Sequence, residues 1–223
     1  MIDSSIIHYY DEIASSYNSR LEKDARNCHV RNYVRQYVLE LKNVQRVMDF
    51  GGGTGLDLPW LIENDFDIVF CEPSTKMSAI ARQLVSDRFP NASITFEIGA
   101  SADFSKWCKS PDNQVDVILS NFSALNSIAN IGLAFKQLGL RLTHRGHLIT
   151  VLTHFPQSTT SWDKSRSCMA KQQVSTVSIG SRSMKVYYYQ KKHLVEIAKT
   201  YFDLAYYQAL TPYGFHFYHW IKR

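Results

Sequence analysis

Cysteine is scarce in this sequence, and its spacing fits no zinc site. The four cysteines, at positions 28, 71, 108 and 168, form no C-x-x-C pair, and no cluster of histidine and cysteine has the spacing of zinc ligands. We therefore expect no metal cofactor. Isolated cysteines of this kind are typical of a reducing compartment, which predicts a cytoplasmic protein.

The sequence also has no long apolar run, and we expect no secretory leader. No apolar run approaches the length that spans a bilayer, and the first five residues include neither a basic segment nor an apolar one. We therefore expect no membrane partner. The chain is 45% hydrophobic and 20% charged, which indicates a folded globular protein rather than a disordered one.

Positive charge is in slight excess but is not concentrated. The formal net charge is +5, and the basic residues are scattered, with small pairs at Lys191-Lys192 and Lys222-Arg223. A dedicated nucleic-acid binder more often gathers its basic residues on one stripe. The pattern therefore favours solvated surface charge, and we do not expect nucleic acid as a partner.

The chain lacks internal repeats and low-complexity linkers, and its 223 residues fit one α/β domain. We expect a single domain over residues 1–223. Within it, residues 1–43 form an N-terminal helical cap, and residues 154–190 form an insert. In this insert residues 155–173 predict a loop, and the segments 174–179 and 184–189, which flank Gly180-Ser181, predict a hairpin. A monomer or a homodimer is expected.

Glycine is infrequent too, but four of the ten glycines stand together at positions 51, 52, 53 and 55. The apolar segment 44–50 before them predicts a buried strand, and the apolar residues at 58, 61 and 62 begin a helical period. A strand, a glycine turn and a helix form the first βα unit of a nucleotide-binding sheet. Glycine is needed there because a Cβ would prevent the backbone from turning sharply against a ligand.

The spacing of these glycines distinguishes between two cofactors. A dinucleotide site needs G-x-G-x-x-G, but the third glycine counted from Gly51 would fall at Leu56. The run Asp49-x-Gly51-x-Gly53-x-Gly55 instead resembles the first motif of class I S-adenosylmethionine-dependent methyltransferases, an acidic residue followed by G-x-G-x-G. The resemblance implies S-adenosylmethionine as cofactor and S-adenosylhomocysteine as product, with Asp49, Gly51, Gly53 and Gly55 at the cofactor.

The resemblance also implies a fold. Class I methyltransferases have a Rossmann-like α/β architecture, a seven-stranded, mostly parallel sheet with an antiparallel C-terminal strand and helices on both faces. The sequence agrees with this, since strand-like and helix-like segments alternate up to residue 154. Residues 204–210 and 215–221 then predict a closing pair of strands.

The second strand leads to the next candidate residues. Residues 66–71 read as this strand, and Glu72 at its end can accept hydrogen bonds from ribose hydroxyls. Ser74 predicts the cap of the following helix. The resemblance implies that Pro73 and Met77 lie at the cofactor, although Met77 is equally suited to filling the core.

The N-terminal segment Tyr9-Tyr10-Asp11-Glu12-Ile13-Ala14-Ser15-Ser16-Tyr17 lies in a predicted helix over residues 3–16. It resembles the aromatic-Asp-x-x-Ala-x-x-Tyr pattern of ubiquinone/menaquinone-type small-molecule methyltransferases, in which this segment folds over the cofactor. The resemblance implies that Tyr17, and also Tyr10, lie against the methionine end of the cofactor. Alternatively, both tyrosines pack the helix onto the sheet.

Two arginines are candidates for the cofactor's carboxylate. Arg20 follows the first predicted helix, and Arg31 lies in a second predicted helix over residues 28–42. A guanidinium group pairs well with a carboxylate. Most arginines are surface residues, and that alternative stays open for both.

The third and fourth strands also end in candidate residues. After residues 92–98, the resemblance implies that the backbone of Ala100 and Ser101 lies at the adenine, although Ala100 stands where the family usually has an acid. After residues 115–120, the run Ser120-Asn121-Phe122-x-Ala124-Leu125-Asn126 resembles small-molecule methyltransferases, which implies that Asn121 and Phe122 lie beside the transferred methyl. Methyltransferases that modify the amino groups of DNA bases carry Asn or Asp followed by Pro-Pro and an aromatic residue at this strand end. Phe122 and Ser123 stand in place of the two prolines, which argues against methylation of DNA bases. The next predicted helix covers residues 127–143, and Asn126 reads as its cap.

The fifth strand ends at His154. Histidine has a suitable unperturbed pKa for a general base, and the alternative is a loop histidine without a role. Tyr187 and Tyr189 alternate on one predicted strand. With Phe122 and Tyr9 they are expected to line an aromatic pocket for the methyl acceptor, although packing residues would show the same pattern.

The sequence therefore predicts methyl transfer from S-adenosylmethionine to an oxygen, nitrogen or carbon atom of a small molecule. His154 and Asn121 are the predicted catalytic residues, and Asn121 is also expected to touch the cofactor. The alternatives are an RNA or protein methyltransferase, a non-catalytic partner protein that binds S-adenosylmethionine, and, less compatible with the glycine spacing, a nicotinamide dehydrogenase.

Overall fold

The computed structural model describes residues 4–21, 24–98, 114–154, 172–179, 182–210 and 214–223. The helices are α1 (Ser4–Leu21), α2 (Ala25–Leu39), α3 (Leu58–Glu63), α4 (Thr75–Arg88), α5 (Ile131–Arg141) and α6 (Lys191–Ala198). The strands are β1 (Arg46–Phe50), β2 (Asp67–Glu72), β3 (Ile94–Ile98), β4 (Val115–Ser120), β5 (Leu142–Thr153), β6 (Gln172–Ile179), β7 (Arg182–Tyr189), β8 (Phe202–Leu210) and β9 (Phe215–Lys222). Of these described helices, none combines the length and the apolar character that crossing a bilayer requires.

Seven strands form one sheet in the order β3-β2-β1-β4-β5-β9-β8. The first five are parallel, and β9 runs antiparallel to both β5 and β8. This confirms the predicted Rossmann-like sheet with its antiparallel C-terminal strand. The strand order reverses between β1 and β4, and in open α/β sheets this reversal marks the crevice where ligands bind.

Helices cover both faces of the sheet because the central strands are apolar on both sides. On one face the α2, α3 and α4 side chains pack against residues such as Val47 and Ile68. On the other face α5 and α6 pack against residues such as Met48 and Val69. All four of these strand residues are fully or almost fully buried.

The hairpin predicted at residues 174–189 is confirmed as β6 and β7, which pair antiparallel in a sheet of their own. Met184 of β7 packs against a small apolar cluster that α1 forms with α4. The hairpin therefore lies against the N-terminal helix. The predicted loop at 155–173 falls mostly at residues 155–171, which are outside the described residues, as is the predicted turn at 180–181.

Several boundaries follow from capping. The Ser74 hydroxyl accepts a hydrogen bond from the Met77 N–H at 3.1 Å, which confirms the predicted start of α4. α1 extends to Leu21, beyond the predicted end at residue 16. The helix expected from residue 127 begins at Ile131, because Asn130 is its cap and accepts a hydrogen bond from the Leu133 N–H at 2.9 Å.

The prediction that Asn126 caps a helix is wrong. Asn126 lies in a short 3-10 helix, Ala124–Ser127, before α5. Its amide nitrogen donates to the backbone oxygens of Thr153 at 3.0 Å and Tyr187 at 2.7 Å, and its amide oxygen accepts from the Thr153 N–H. Asn126 therefore ties the end of β5 to β7. A sequence cannot distinguish this long-range role from a local cap.

Candidate active site

A cavity lies at the carboxyl ends of β1, β2 and β4, where the strand order reverses. The glycine loop after β1 forms its floor, and residues of α1 and α2 also line it. The cavity brings together most of the residues predicted from the sequence: Tyr10, Tyr17, Asp49, Gly51, Gly53, Glu72, Pro73, Asn121 and Phe122.

The glycine loop has the backbone conformation that only glycine adopts easily. Gly51, Gly53 and Gly55 have φ values of 72°, 60° and 79°. A Cβ on Gly51 would lie 2.6 Å from the Ala124 Cβ, so the loop passes close to the 3-10 helix that follows β4. Gly55 does not line the cavity as the described residues form it. A Cβ there would lie 2.7 Å from Leu58 Cδ1, so this glycine allows α3 to pack closely.

Glu72 at the end of β2 connects the glycine loop to α4. One carboxylate oxygen, Oε2, accepts the Gly53 N–H at 2.9 Å, and the other, Oε1, accepts the Ser74 N–H at 2.8 Å. The side chain is almost fully buried, and this burial raises the pKa of Glu72 to about 7. Each oxygen has one further lone pair with which it can accept a hydrogen bond from a ligand hydroxyl.

Asp49 lines the cavity as a buried acid at the end of β1. The residue is 1% exposed, and its Oδ2 atom has no hydrogen-bond partner among the described residues. Burial raises the pKa of Asp49 well above its usual range, and the neighbouring carboxylates of Asp57 and Glu72 raise it further, against the opposing effect of Arg31. A buried unpaired acceptor costs about 1–3 kcal/mol, so a donor from a ligand is expected.

Asp57, just before α3, belongs to the site although the sequence did not identify it. Its carboxylate forms an ion pair with Arg31. It also accepts the Trp60 Nε1–H at 3.0 Å and the Asn121 Nδ2–H at 3.0 Å. The available signal, an acid directly before a helix that begins Leu-Pro, indicates a helix cap. The Asp57 side chain makes no capping bond and faces this network instead.

The chain after β4 is strained where it meets the cavity. Phe122 and Ser123 have φ values of 47° and 66°, in the left-handed region that non-glycine residues rarely adopt. Such residues cost of order 1 kcal/mol each and persist where surrounding contacts hold them. Here the Ser123 N–H donates to the Val151 oxygen at 2.8 Å. The Arg31 guanidinium lies 4.6 Å from the centre of the Phe122 ring and covers it.

Helix α1 closes one side of the cavity. Tyr10 and Tyr17 line it with ring centres 6.3 Å apart, and burial raises the pKa of both phenols. Two further contacts attach the helix: the Thr54 hydroxyl donates to the Asn18 amide oxygen, and Asp11 Oδ1 accepts from the Ser74 hydroxyl at 2.6 Å and the Lys76 N–H at 3.1 Å.

Other candidates lie away from the cavity as the described residues form it. Tyr9 and Met77 are buried together in the small cluster between α1 and α4. Tyr189 is buried, and its hydroxyl donates to the backbone oxygen of Ile128 at 2.6 Å. The backbone oxygen of Tyr187 accepts from the Asn126 side chain. Their packing agrees with the alternative that these aromatic residues stabilise the fold.

The structure does not bring His154 into the cavity either. Its ring stacks on His216 with centres 3.4 Å apart, and its Nε2 atom lies 2.6 Å from the Tyr218 hydroxyl. Burial, and then the neighbouring His216, lower the pKa of His154 to about 4. Ala100 and Ser101 lie outside the described residues, as does the side chain of Arg20.

The comparisons with known proteins agree with this geometry. A model of the methyltransferase domain matches residues 18–201. No curated protein sequence matches the chain.

Solved structures share the fold at low identity. An S-adenosylmethionine-dependent methyltransferase from Clostridium acetobutylicum is 12% identical with a TM-score of 0.67, over 96% of this chain and 98% of that one. The [4+2]-cyclase SpnF is 14% identical with a TM-score of 0.71, over 97% and 94%. The glycopeptide N-methyltransferase MtfA, in complex with S-adenosylmethionine, is 12% identical with a TM-score of 0.63, over 86% and 94%.

At these identities the structures establish the fold alone, and the family rests on the sequence model. That model spans most of the chain, from within α1 to the start of β8. The expected enzyme class is therefore confirmed: the protein belongs to the methyltransferase-domain family of enzymes, with the fold of the S-adenosylmethionine-dependent methyltransferases.

Proposed function

We propose that the protein transfers the methyl group of S-adenosylmethionine to a small-molecule acceptor in the cavity above β1, β2 and β4. The observation that carries this proposal is the buried, unpaired Asp49 carboxylate oxygen beside a glycine loop at the strand-order reversal. The loop leaves space that side chains would fill, and the carboxylate needs a donor.

The charges around the cavity fit this cofactor. Asp49, Asp57 and Glu72 line the cavity with one cation among them, Arg31. Burial raises the pKa of Asp49 and Glu72, and a cation in the cavity would stabilise their charged forms, so the site favours a ligand that carries positive charge. S-adenosylmethionine has a sulfonium and an ammonium group. We assign Glu72 to the ribose hydroxyls, Asp49 to donors near the methionine end, and Gly51 and Gly53 to close backbone contact.

Bound S-adenosylmethionine supplies a methyl group already activated by its sulfonium. The chain therefore has to align the reacting atoms and exclude water, which is the main source of catalysis in such a displacement. Tyr10 and Tyr17 close the cavity from α1, and Asn121 with Phe122 forms the wall after β4. His154 is not part of this arrangement as a base, because its Nε2 atom lies within hydrogen-bond distance of the Tyr218 hydroxyl.

A small acceptor is favoured over RNA or protein. Helix α1 lies along the cavity, and Ile6, Tyr10 and Phe122 give it apolar walls. A macromolecular substrate would require an open groove, and RNA would favour a basic one.

The Tyr10-Asp11-x-x-Ala14-x-x-Tyr17 pattern supports the ubiquinone/menaquinone-type branch, since Asp11 attaches α1 to the start of α4. A cytoplasmic location, the absence of a metal and a monomer or homodimer remain predictions.

The first experiment is calorimetry of the purified protein with S-adenosylmethionine, S-adenosylhomocysteine and NAD, side by side. Micromolar binding of both sulfur compounds, with none of NAD, is expected. Binding of NAD alone, or of none of the three, would refute the proposal. If S-adenosylmethionine binds but no S-adenosylhomocysteine forms with a broad acceptor mixture, the non-catalytic alternative becomes the better one.

A further inference from the structure

The amide of Asn121 is held in one orientation. Its Nδ2 atom donates to Asp57 Oδ2 at 3.0 Å, and Asp57 also receives N–H donors from Trp60 and Arg31. A carboxylate in an ion pair with an arginine is an acceptor only. Turning the amide over would place its oxygen against the carboxylate oxygen. The amide nitrogen therefore faces Asp57, and the amide oxygen cannot.

This orientation leaves the Asn121 Oδ1 atom unpaired. It has no hydrogen-bond partner in the described part of the chain, although Asn121 is only 7% exposed and lines the cavity. Buried amide oxygens are almost always paired. Since three protein groups fix the other end of the network, the missing donor is best supplied by a ligand.

The backbone at this position is also set in place. Asn121 directly follows β4, and the next two residues, Phe122 and Ser123, hold left-handed conformations. The Ser123 hydroxyl donates to the Thr153 hydroxyl at 3.1 Å, and Arg31, the ion-pair partner of Asp57, covers the Phe122 ring. Strain retained in this way is typical of residues that position a ligand.

We propose that Asn121 Oδ1 accepts a hydrogen bond from the atom that receives the methyl group, and that this atom is the nitrogen of a neutral primary or secondary amine. Asp57 is a positioning residue, because its carboxylate orients the Asn121 amide. The inference rests on the proposed function above. An amine nitrogen suits this geometry because it donates one N–H and keeps its lone pair for the methyl carbon.

The reaction then balances without a base. The nitrogen lone pair forms the new carbon–nitrogen bond, and the carbon–sulfur bond breaks with its electron pair left on sulfur as a thioether. The amine becomes an N-methylammonium ion, which later loses a proton to water. A hydroxyl acceptor would require removal of its proton at an earlier stage, and the amide oxygen of Asn121 cannot act as that base. The carboxylates of the cavity are already assigned, Asp49 and Glu72 to the cofactor and Asp57 to its ion pair with Arg31.

The test begins with the native protein and S-adenosylmethionine labelled in the methyl group. Pools of primary and secondary amines, phenols and thiols are offered separately, and products are identified by mass. N-methyl products from the amine pool are expected. Mainly O-, S- or C-methyl products, or no product from the amines, would overturn the inference. If calorimetry shows no S-adenosylmethionine binding, the proposed function fails first.

Variants then test the two residues. Asn121→Ala is expected to lower kcat/KM for the best amine 10- to 100-fold while the Kd for S-adenosylmethionine changes less than threefold. Asp57→Asn is expected to lower kcat more than it raises KM, because the Asn121 amide is no longer held in one orientation. Asn91→Ala, on an exposed turn, is the matched control. A larger loss of cofactor binding than of turnover would assign Asn121 to the cofactor instead.

A measurement on the native protein covers the case in which these variants do not fold. Aniline and N,N-dimethylaniline differ in the N–H group, and their binding to the protein loaded with S-adenosylhomocysteine can be compared by ligand-observed NMR. We expect aniline to bind at least tenfold more tightly. Equal binding, tighter binding of the dimethyl compound, or no binding of either would contradict the assigned hydrogen bond.

Discussion

The position of Glu72 at the cavity suits it to hold a ligand, but the burial of its carboxylate lowers the stability of the empty protein. The side chain is buried at the end of β2 and accepts two backbone N–H groups. These bonds lower the pKa, but burial has the larger effect and raises it from 4.5 to about 7. Function and stability therefore make opposite demands on this residue.

The sign of its contribution to stability follows from proton binding. Between pH 4.5 and 7 the folded protein keeps the Glu72 proton and the unfolded chain does not. The free energy of unfolding therefore falls as the pH rises through this range, by about 3 kcal/mol in total. Glu72→Gln removes this loss. As the pH rises from 4.5 to 8, the free energy of unfolding of the variant is expected to increase by about 3 kcal/mol relative to that of the native protein.

Urea unfolding of both proteins across this range measures the difference. Asp49 contributes a fall of the same sign, so the variant keeps part of the pH dependence. Glu63→Gln, an exposed change on α3, controls for the loss of one carboxylate. Parallel pH profiles for the native protein and Glu72→Gln would contradict the prediction.

The same residue should matter for the cofactor. Glu72→Ala is expected to weaken S-adenosylmethionine binding by about 1–3 kcal/mol, because the ribose hydroxyls lose their acceptor in a buried site. Binding to the native protein should also tighten from pH 6 to pH 8, as Glu72 loses its proton. Calorimetry at both pH values tests both statements. Unchanged affinity in the variant would show that Glu72 does not hold the ribose.

At the scale of elements, the turn from β1 to α3 depends on two different properties of glycine. Gly51 and Gly53 line the cavity, whereas Gly55 lies under α3. A Cβ on Gly55 would lie 2.7 Å from Leu58 Cδ1 and 3.0 Å from the Ala81 Cβ, and its φ of 79° disfavours any side chain. The packing of α3 and α4 on the sheet therefore requires glycine here.

Gly55→Ala is expected to lower the free energy of unfolding by about 1–3 kcal/mol, from backbone strain and crowding. Gly139→Ala is the matched variant. It lies inside α5, where a Cβ would meet only ordinary contacts at 3.6 Å and beyond, so it should raise stability by about 0.5–1 kcal/mol. Thermal and urea unfolding compare the two. Equal effects of the same sign would show that the conformation at residue 55 is not restrictive.

Elements with a strong local signal could be predicted from the sequence. β2 and β4 were predicted from apolar runs, α4 from its Ser74 cap, and the β6–β7 hairpin from two apolar segments around Gly180-Ser181. The signal in each case lies in residues close together in the chain. Glu72 and the glycines follow directly from such elements, so their place at the cavity could be predicted too.

Residues with long-range roles could not be predicted in this way. The sequence positions of Asp57, before α3, and Asn126, before α5, both suggest a helix cap. Their partners lie far away in the chain, 64 residues away at Asn121 and 61 residues away at Tyr187. His154 follows a strand that ends at the correct edge, yet its partners on β9 hold it elsewhere. These outcomes depend on tertiary contacts, which local pattern does not encode.

At the scale of the whole molecule, the seam between β5 and β9 joins the parallel part of the sheet to its antiparallel end. Two histidine pairs lie along it. His147 Nδ1 is 2.9 Å from His219 Nε2, and His219 Nδ1 is 2.9 Å from the Tyr37 hydroxyl of α2. His154 stacks on His216 further along the seam. Neither pair readily holds two protons at once, because two imidazolium groups at these distances would repel each other, and burial further disfavours the charged rings.

This seam should make the protein sensitive to acid. Burial, and then the neighbouring His147, lower the pKa of His219 from 6.5 to about 4, and the pKa of His154 falls to about 4 for similar reasons. Between pH 6.5 and 4 the unfolded chain binds protons that the folded protein does not. The free energy of unfolding from these residues is therefore highest above pH 6.5 and falls as the pH is lowered towards 4.

His219→Gln tests this origin of the acid sensitivity, because glutamine keeps a donor and an acceptor for Tyr37 and His147 but does not titrate. The variant should lose less stability than the native protein when urea unfolding is followed from pH 7 to pH 4.5. His144→Gln, an exposed change on the same strand as His147, is the control. The Glu72 contribution runs in the opposite direction and is common to all three proteins, so it cancels in the comparison. An equal loss of stability in His219→Gln and the native protein would place the acid-sensitive group elsewhere than at the β5–β9 seam.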